Sequence, residues 1–233
     1  MIFGTKKGAQ LNDVNIKINN ETLVRVNQSK FLGIILDSGC TWQPHIQYIT
    51  KKIAKSIGIL SLARQTLNKN TLIQLYYSFI YPYLLYCYII WGKAAETHIW
   101  PLFKLQKIAI RIIHNIPGRD STLKQFHSSK ILRIPEIHQY SIGMFMFHYN
   151  KGNLPTIFDN FFQENRNVHH YHTRNSRNLR PPKSKSQQAQ KFIKNTGANF
   201  WNNIKNIIPI NKSAGTFKNH LKTYLLQTYA ILS

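Results

Sequence analysis

Eight acidic residues are all that this 233-residue chain contains. They are Asp13, Glu21, Asp37, Glu96, Asp120, Glu136, Asp159 and Glu164. Two-metal phosphoryl transfer needs at least two converging carboxylates to neutralise the metals. No two of these acids adjoin, and the nearest, Asp159 and Glu164, are five residues apart. Folding can gather distant acids, but the spacing offers no ready-made carboxylate centre. His169, His170 and His172, with Tyr171 between them, have metal-ligand chemistry. No second pair at ligand spacing accompanies them, so a polar basic loop is the plainer reading. Cys40 and Cys87 are the two cysteines, which gives neither a disulfide framework nor a CxxC zinc half-site. Gly4-Thr5-Lys6-Lys7-Gly8 lacks the GxxxxGK[ST] pattern of a phosphate loop, and no Ser or Cys sits in a nucleophile-elbow context.

Anion binding is the chemistry these residues can perform. Lys and Arg total 31 against those 8 acids, a formal net charge of +23. Solubility needs far less, so a polyanionic partner is expected, nucleic acid before anionic lipid. The residues after Glu164 carry twelve Lys and Arg and no acid. Within them Arg174, Arg177, Arg180, Lys183 and Lys185 lie in a stretch too poor in apolar residues for a core. They are the tail candidates for phosphate contact. Tyr171, Phe192, Phe200 and Trp201 are interleaved and could stack on unpaired bases, although core packing explains Phe200 and Trp201 better.

These residues need elements to position them. Val14, Ile16 and Ile18 alternate with polar residues, as on a half-buried strand. Asn19-Asn20-Glu21 supplies a turn. Val24 and Val26 suggest a second strand, and the apolar run 31–36 a third, buried on both faces. From Trp42 the period changes to 3.6. Ile46, Ile49, Ile53, Ile57 and Leu60 fall within about 80° of one another on a helix. Lys51, Lys52 and Lys55 occupy the opposite face, where phosphate contact and plain solvation explain them equally well. Residues 71–91 hold no charge, yet six tyrosines and Pro82 interrupt them. A membrane span confines tyrosine to its interfaces, so a buried helix broken near Pro82 is expected and no membrane partner.

A further helix is expected over 100–114, with Lys104, Lys107 and Arg111 along one edge. Ile116-Pro117-Gly118 ends it. Helical pieces follow over 122–129 and 135–149, a linker-like stretch over 164–191, and a last helix over 216–226. With 43% apolar residues the chain can build a core. The expected fold is α+β and mostly α-helical, with a small N-terminal hairpin or sheet remnant. The expected divisions are 1–40, 41–115, 116–163, a basic linker at 164–190, and 191–233. No secretory signal opens the chain, and an intracellular setting, cytoplasm or nucleus, is expected.

Several short segments, taken in order, resemble the reverse transcriptases of non-LTR retrotransposons. Lys30-Phe31-Leu32-Gly33-Ile34-Ile35-Leu36-Asp37 with Trp42 and His45 is similar to their K-[FY]-L-G-x-x-[LI]-D…W…H segment. Tyr77…Ile80…Pro82…Leu84…Tyr86…Trp91-Gly92 resembles a thumb-region pattern, and Leu105-Gln106-Lys107…Ile110-Arg111-Ile112-Ile113 a helix beyond it. Tyr171-His172-Thr173-Arg174, Trp201-Asn202…Pro209 and Phe217-Lys218…Leu221-Lys222 resemble later motifs. The resemblance implies an RNA-directed DNA polymerase whose catalytic [FY]-A-D-D motif lies upstream of residue 1, with Met1-Ile2-Phe3 similar to the strand after it. This chain would then be the end of the palm, a primer-grip-like hairpin at Phe31, Leu32 and Gly33, the thumb and a tail. For Phe31 and Leu32 a core position is expected over direct contact; Gly33 would allow close backbone approach. Mg²⁺ is implied for the full-length parent, whereas no cofactor, catalytic residue or small-molecule substrate is expected for this chain. RNA and DNA backbones are the expected partners. Two rivals stay open: a degenerate product without function, and a polymerase part completed by another chain.

Overall fold

Asn19 and Asn20 both hold positive φ and close a two-residue turn between β1 (Lys17–Ile18) and β2 (Glu21–Thr22). The computed structural model describes Met1, Phe3 and residues 16–167 and 175–227. A second antiparallel hairpin joins β3 (Gln28–Phe31) to β4 (Ile34–Asp37), with Phe31 paired to Ile34. Between them Leu32 (φ 46°) and Gly33 (φ 81°) form the turn. Positive φ at both central residues is the geometry whose twist matches that of the flanking strands.

This corrects three expectations. The apolar run 31–36 is the corner of a hairpin, not one buried strand. Phe31 and Leu32 are 64% and 73% exposed, so neither belongs to the core. Val24 and Val26 lie in no strand and are exposed, as are Ile16 and Ile18 of the first alternation. Short two-stranded ribbons have too few neighbours to bury an alternating face. Val14 lies outside the described residues.

Asp37 turns the chain from hairpin into helix. Its carboxylate accepts hydrogen bonds from the Thr41 N–H and hydroxyl at 2.9 Å each, and from the Trp42 N–H at 2.9 Å. Helix α1 (Gln43–Ala63) then buries Ile46, Ile49, Ile53, Ile57 and Leu60, the face its periodicity predicts. The uncharged segment becomes three helices, α2 (Lys69–Phe79), α3 (Tyr81–Leu85) and α4 (Tyr88–Trp91). Asn68 caps α2 by accepting the Thr71 N–H at 3.0 Å. Pro82 sits in the first turn of α3, where its missing N–H leaves no bond unmade. Cys87, at φ 51°, separates α3 from α4. Among the described residues no helix is long and apolar enough to cross a membrane.

Helix α5 (Glu96–His114) lies along α1, and Arg64 Nη1 donates to Asn115 Oδ1 at 3.3 Å where both helices end. After α6 (Leu123–Ser128), α7 (Ile134–Asn150) forms the second spine of the core. A short ribbon, β5 (Gln163–Glu164) with β6 (Leu179–Arg180), and α8 (Gln187–Lys191) lead to α9 (Ile193–Ile204) and α10 (Ala214–Gln227). Both final helices pack on α7. A Cβ at Gly143 would come within 2.6 Å of Leu221, and one at Gly197 within 2.8 Å of Met146, so glycine is what permits these approaches. Phe217 stacks on Phe147 with centroids 4.4 Å apart. The architecture is mostly α, with three small two-stranded sheets among the described residues.

Candidate nucleic-acid interface

The interface candidates divide by how the fold holds them. Lys51, Lys52 and Lys55 stand exposed on the outer face of α1. The Lys52 ammonium lies 5.6 Å from the Tyr48 ring centroid, and Lys30 from the hairpin reaches the same ring at 5.5 Å. Hairpin and α1 thus share one cationic edge. Phe31, Leu32 and Gly33 project there as an exposed turn, held by Tyr86, whose hydroxyl donates to the Leu32 carbonyl at 2.6 Å. A Cβ at Gly33 would meet the Tyr86 ring at 3.5 Å, ordinary contact; the positive φ is what favours glycine.

On α5 the three cations part company. Lys104 is exposed, whereas Lys107 and Arg111 are half-buried and line a cleft of about 480 Å³. The opposite wall comes from the loop after α5, with Arg119, Asp120, Ser121 and Thr122, and from Leu123 and Phe126 of α6. Phe103 and Arg133 complete it. Arg111 donates from Nη2 to the Asp120 carbonyl at 3.0 Å, which folds the loop back onto the helix. Its Nε is buried without a hydrogen-bond partner. Such an orphan donor costs about 1–3 kcal/mol unless an acceptor reaches it. The Lys107 ammonium lies 4.3 Å from the Phe103 centroid and 5.0 Å from that of Trp100. Burial lowers its pKa, and the positive charges of Arg111 and Arg133 lower it further. Cations crowded together and partly stripped of water create a demand for an anion. Arg133 meets part of that demand internally, its Nε donating to Glu136 Oε2 at 3.1 Å.

The described tail candidates, Arg177, Arg180, Lys183 and Lys185, do not line this cleft. Arg180 is on β6, Arg177 is in the turn before it, and Lys183 and Lys185 are exposed beyond it. Asn202 fixes this stretch with its amide, donating to the Leu179 carbonyl at 2.8 Å and accepting the Leu179 N–H at 2.9 Å. Lys205 donates to the Arg177 carbonyl at 2.8 Å. Trp201 and Phe200 pack in or against the core as expected, while Phe192 is exposed. Arg174, Tyr171, His169, His170 and His172 lie outside the described residues.

Sequence reasoning missed Arg119 and Arg133 as partners of Lys107 and Arg111. Their spacing follows no helical period, because a loop and the start of α7 deliver them. The Pro117-Gly118-Arg119-Asp120 turn was the available signal. Three of the acids serve structure: Asp37 shapes the turn before α1, Glu136 pairs with Arg133, and Glu164 pairs with Arg166 at 2.6 Å. Among the described residues no three of His, Cys, Asp and Glu gather as a metal site.

No family model and no solved structure matches the chain. Over 125 residues it is 26% identical to the "RNA-directed DNA polymerase from mobile element jockey" of Drosophila funebris. About half of this chain is similar to part of a retrotransposon reverse transcriptase. The match covers 52% of this chain and 13% of that polymerase. The chain therefore corresponds to a small part of its relative, and a reverse-transcriptase-related region is what the comparison supports.

Proposed function

We propose that this chain is the palm end, thumb and tail of a retrotransposon reverse transcriptase, and that it grips RNA and DNA by their phosphates without reading base sequence. The observation that carries this reading is the gathering of Lys107, Arg111, Arg119 and Arg133 around one cleft, in a chain of net charge +23. The edge of Lys51, Lys52 and Lys55 and the tail of Arg174, Arg177, Arg180, Lys183 and Lys185 extend the grip. The relative's polymerase activity points the same way. For the parent's Mg²⁺, no three of His, Cys, Asp and Glu gather among the described residues as a site. No catalytic step is assigned to this chain.

The test is a salt titration of binding to duplex DNA, followed by fluorescence anisotropy. If about six phosphates are neutralised, log K falls against log salt with a slope of roughly −5, and base sequence changes affinity little. Changing Arg177, Arg180, Lys183 and Lys185 together to Gln flattens the slope for every sequence alike. A flat salt dependence of the unmodified chain would reject phosphate-dominated binding. Primer extension on primed RNA with dNTPs and Mg²⁺ that scales with the amount of this chain would reject the non-catalytic reading.

A further inference from the structure

We propose that the cleft between α5 and the loop leading to α6 seats one unpaired nucleotide of a bound strand, and so gives the chain a preference for single-stranded over duplex nucleic acid. The inference rests on the nucleic-acid-binding reading and adds to it a site and a ligand class.

Three properties of the cleft point this way. Its volume, about 480 Å³, lies in the range of small-molecule pockets and exceeds the need of a bare phosphate. Its polar side is cationic: Lys107, Arg111 and Arg119 can meet a phosphodiester, and the buried Arg111 Nε has no acceptor of its own. Beside Ser121 and Thr122, its lining includes the apolar Phe103, Leu123 and Phe126, which suit a base and not a second phosphate.

Asp120 sharpens the choice of ligand. It is the single acid among the lining residues and would repel a free phosphate. Towards a nucleotide it offers an acceptor for a base N–H or a ribose hydroxyl. A base can enter only when it is unpaired, because in a duplex its edge and faces are occupied. The phosphates of a duplex remain available to the exposed lysines, which do not line the cleft.

Trp100 provides the readout. It is 49% exposed, its ring lies 5.7 Å from that of Phe103, and the Lys107 ammonium sits against both. A ligand that draws Lys107 away or stacks on Phe103 changes Trp100 emission. The intact chain is titrated with a labelled oligothymidylate, with the same strand in a blunt duplex, with thymidine 5′-monophosphate and with inorganic phosphate. Arg119 is exposed, so Arg119→Gln leaves folding intact, and circular dichroism checks this.

The expected result is that Arg119→Gln weakens the single strand about tenfold and the duplex less than about twofold. Lys107→Gln repeats the pattern. Thymidine monophosphate quenches emission, inorganic phosphate at equal concentration does not, and Trp100→Phe abolishes the signal. Equal losses for strand and duplex would overturn the nucleotide seat while leaving phosphate-dominated binding intact, and no loss for either would overturn the cleft's part in both. Quenching by inorganic phosphate as strong as by the nucleotide would overturn the nucleotide as ligand. Failure to bind either polymer would overturn the broader reading, and the cleft assignment with it.

Discussion

Replacing Gln106 with Leu is expected to cost about 4 kcal/mol of stability, read as a lower urea midpoint at unchanged slope. Gln106 is fully buried at the centre of α5, with both amide hydrogens and its carbonyl oxygen engaged. Its Nε2 donates to the Tyr76 hydroxyl and to the Leu132 carbonyl, each at 2.9 Å. Its Oε1 accepts the Ile134 N–H at 3.0 Å. Ile134 opens α7, so its N–H has no partner within that helix. Leucine fills a similar volume but strands these groups away from water, and the desolvation penalties accumulate. The loss reaches the candidate interface, because Gln106 ties α5 to the start of α7, where Arg133 lines the cleft. Nucleic-acid affinity is therefore expected to fall with stability. Lys104→Gln, two residues away and exposed, should change stability by no more than about 0.5 kcal/mol. Equal effects of the two changes would show that the buried amide does not hold α5 to α7.

Gln106 also shows where sequence reasoning worked and where it stopped. The helical period located α1 and α5 because each buries one stripe of side chains, and burial is what writes that period into a sequence. On α5 the period assigned the core face to apolar residues, and no periodicity reveals that a buried polar residue there organises three elements. The N-terminal ribbons misled for the converse reason. Alternation predicts a half-buried strand only when another layer covers it, and Ile16, Ile18 and Val24 have no such layer among the described residues. Leu32 hid the second hairpin from periodicity, though the resemblance implied one at Phe31, Leu32 and Gly33, because a leucine seldom signals a turn with φ above zero. The cleft was half legible. Lys107 and Arg111 share a helix edge, so their spacing shows them together. Arg119 reaches it on a loop that Arg111 pins to itself and Arg133 from the start of α7, tertiary events with no periodic trace.

The aromatic packing around α4 yields the other large effect, a loss of stability in acid. His138 of α7 is buried against Tyr88, with ring centroids 5.5 Å apart. Gly92 leaves the imidazole its space, since a Cβ there would lie 2.3 Å from His138 Cδ2. Burial, and secondly the positive charge of Lys93, push the His138 pKa down to about 4 from its ordinary 6.5. Between those two values the unfolded chain holds a proton that the folded chain refuses. Stability is therefore complete above about pH 6.5 and declines as pH falls towards 4. The full difference corresponds to about 3 kcal/mol at 1.36 kcal/mol per unit. His45 and His114 are also lowered by burial and add in the same direction. Urea midpoints measured across this window should drop steadily towards acid. His138→Phe, which keeps an aromatic ring against Tyr88, should remove most of the slope and leave the smaller share due to His45 and His114. An unchanged slope in that variant would mean that His138 is already protonated in the folded chain, with its charge accommodated beside Tyr88 and Lys93.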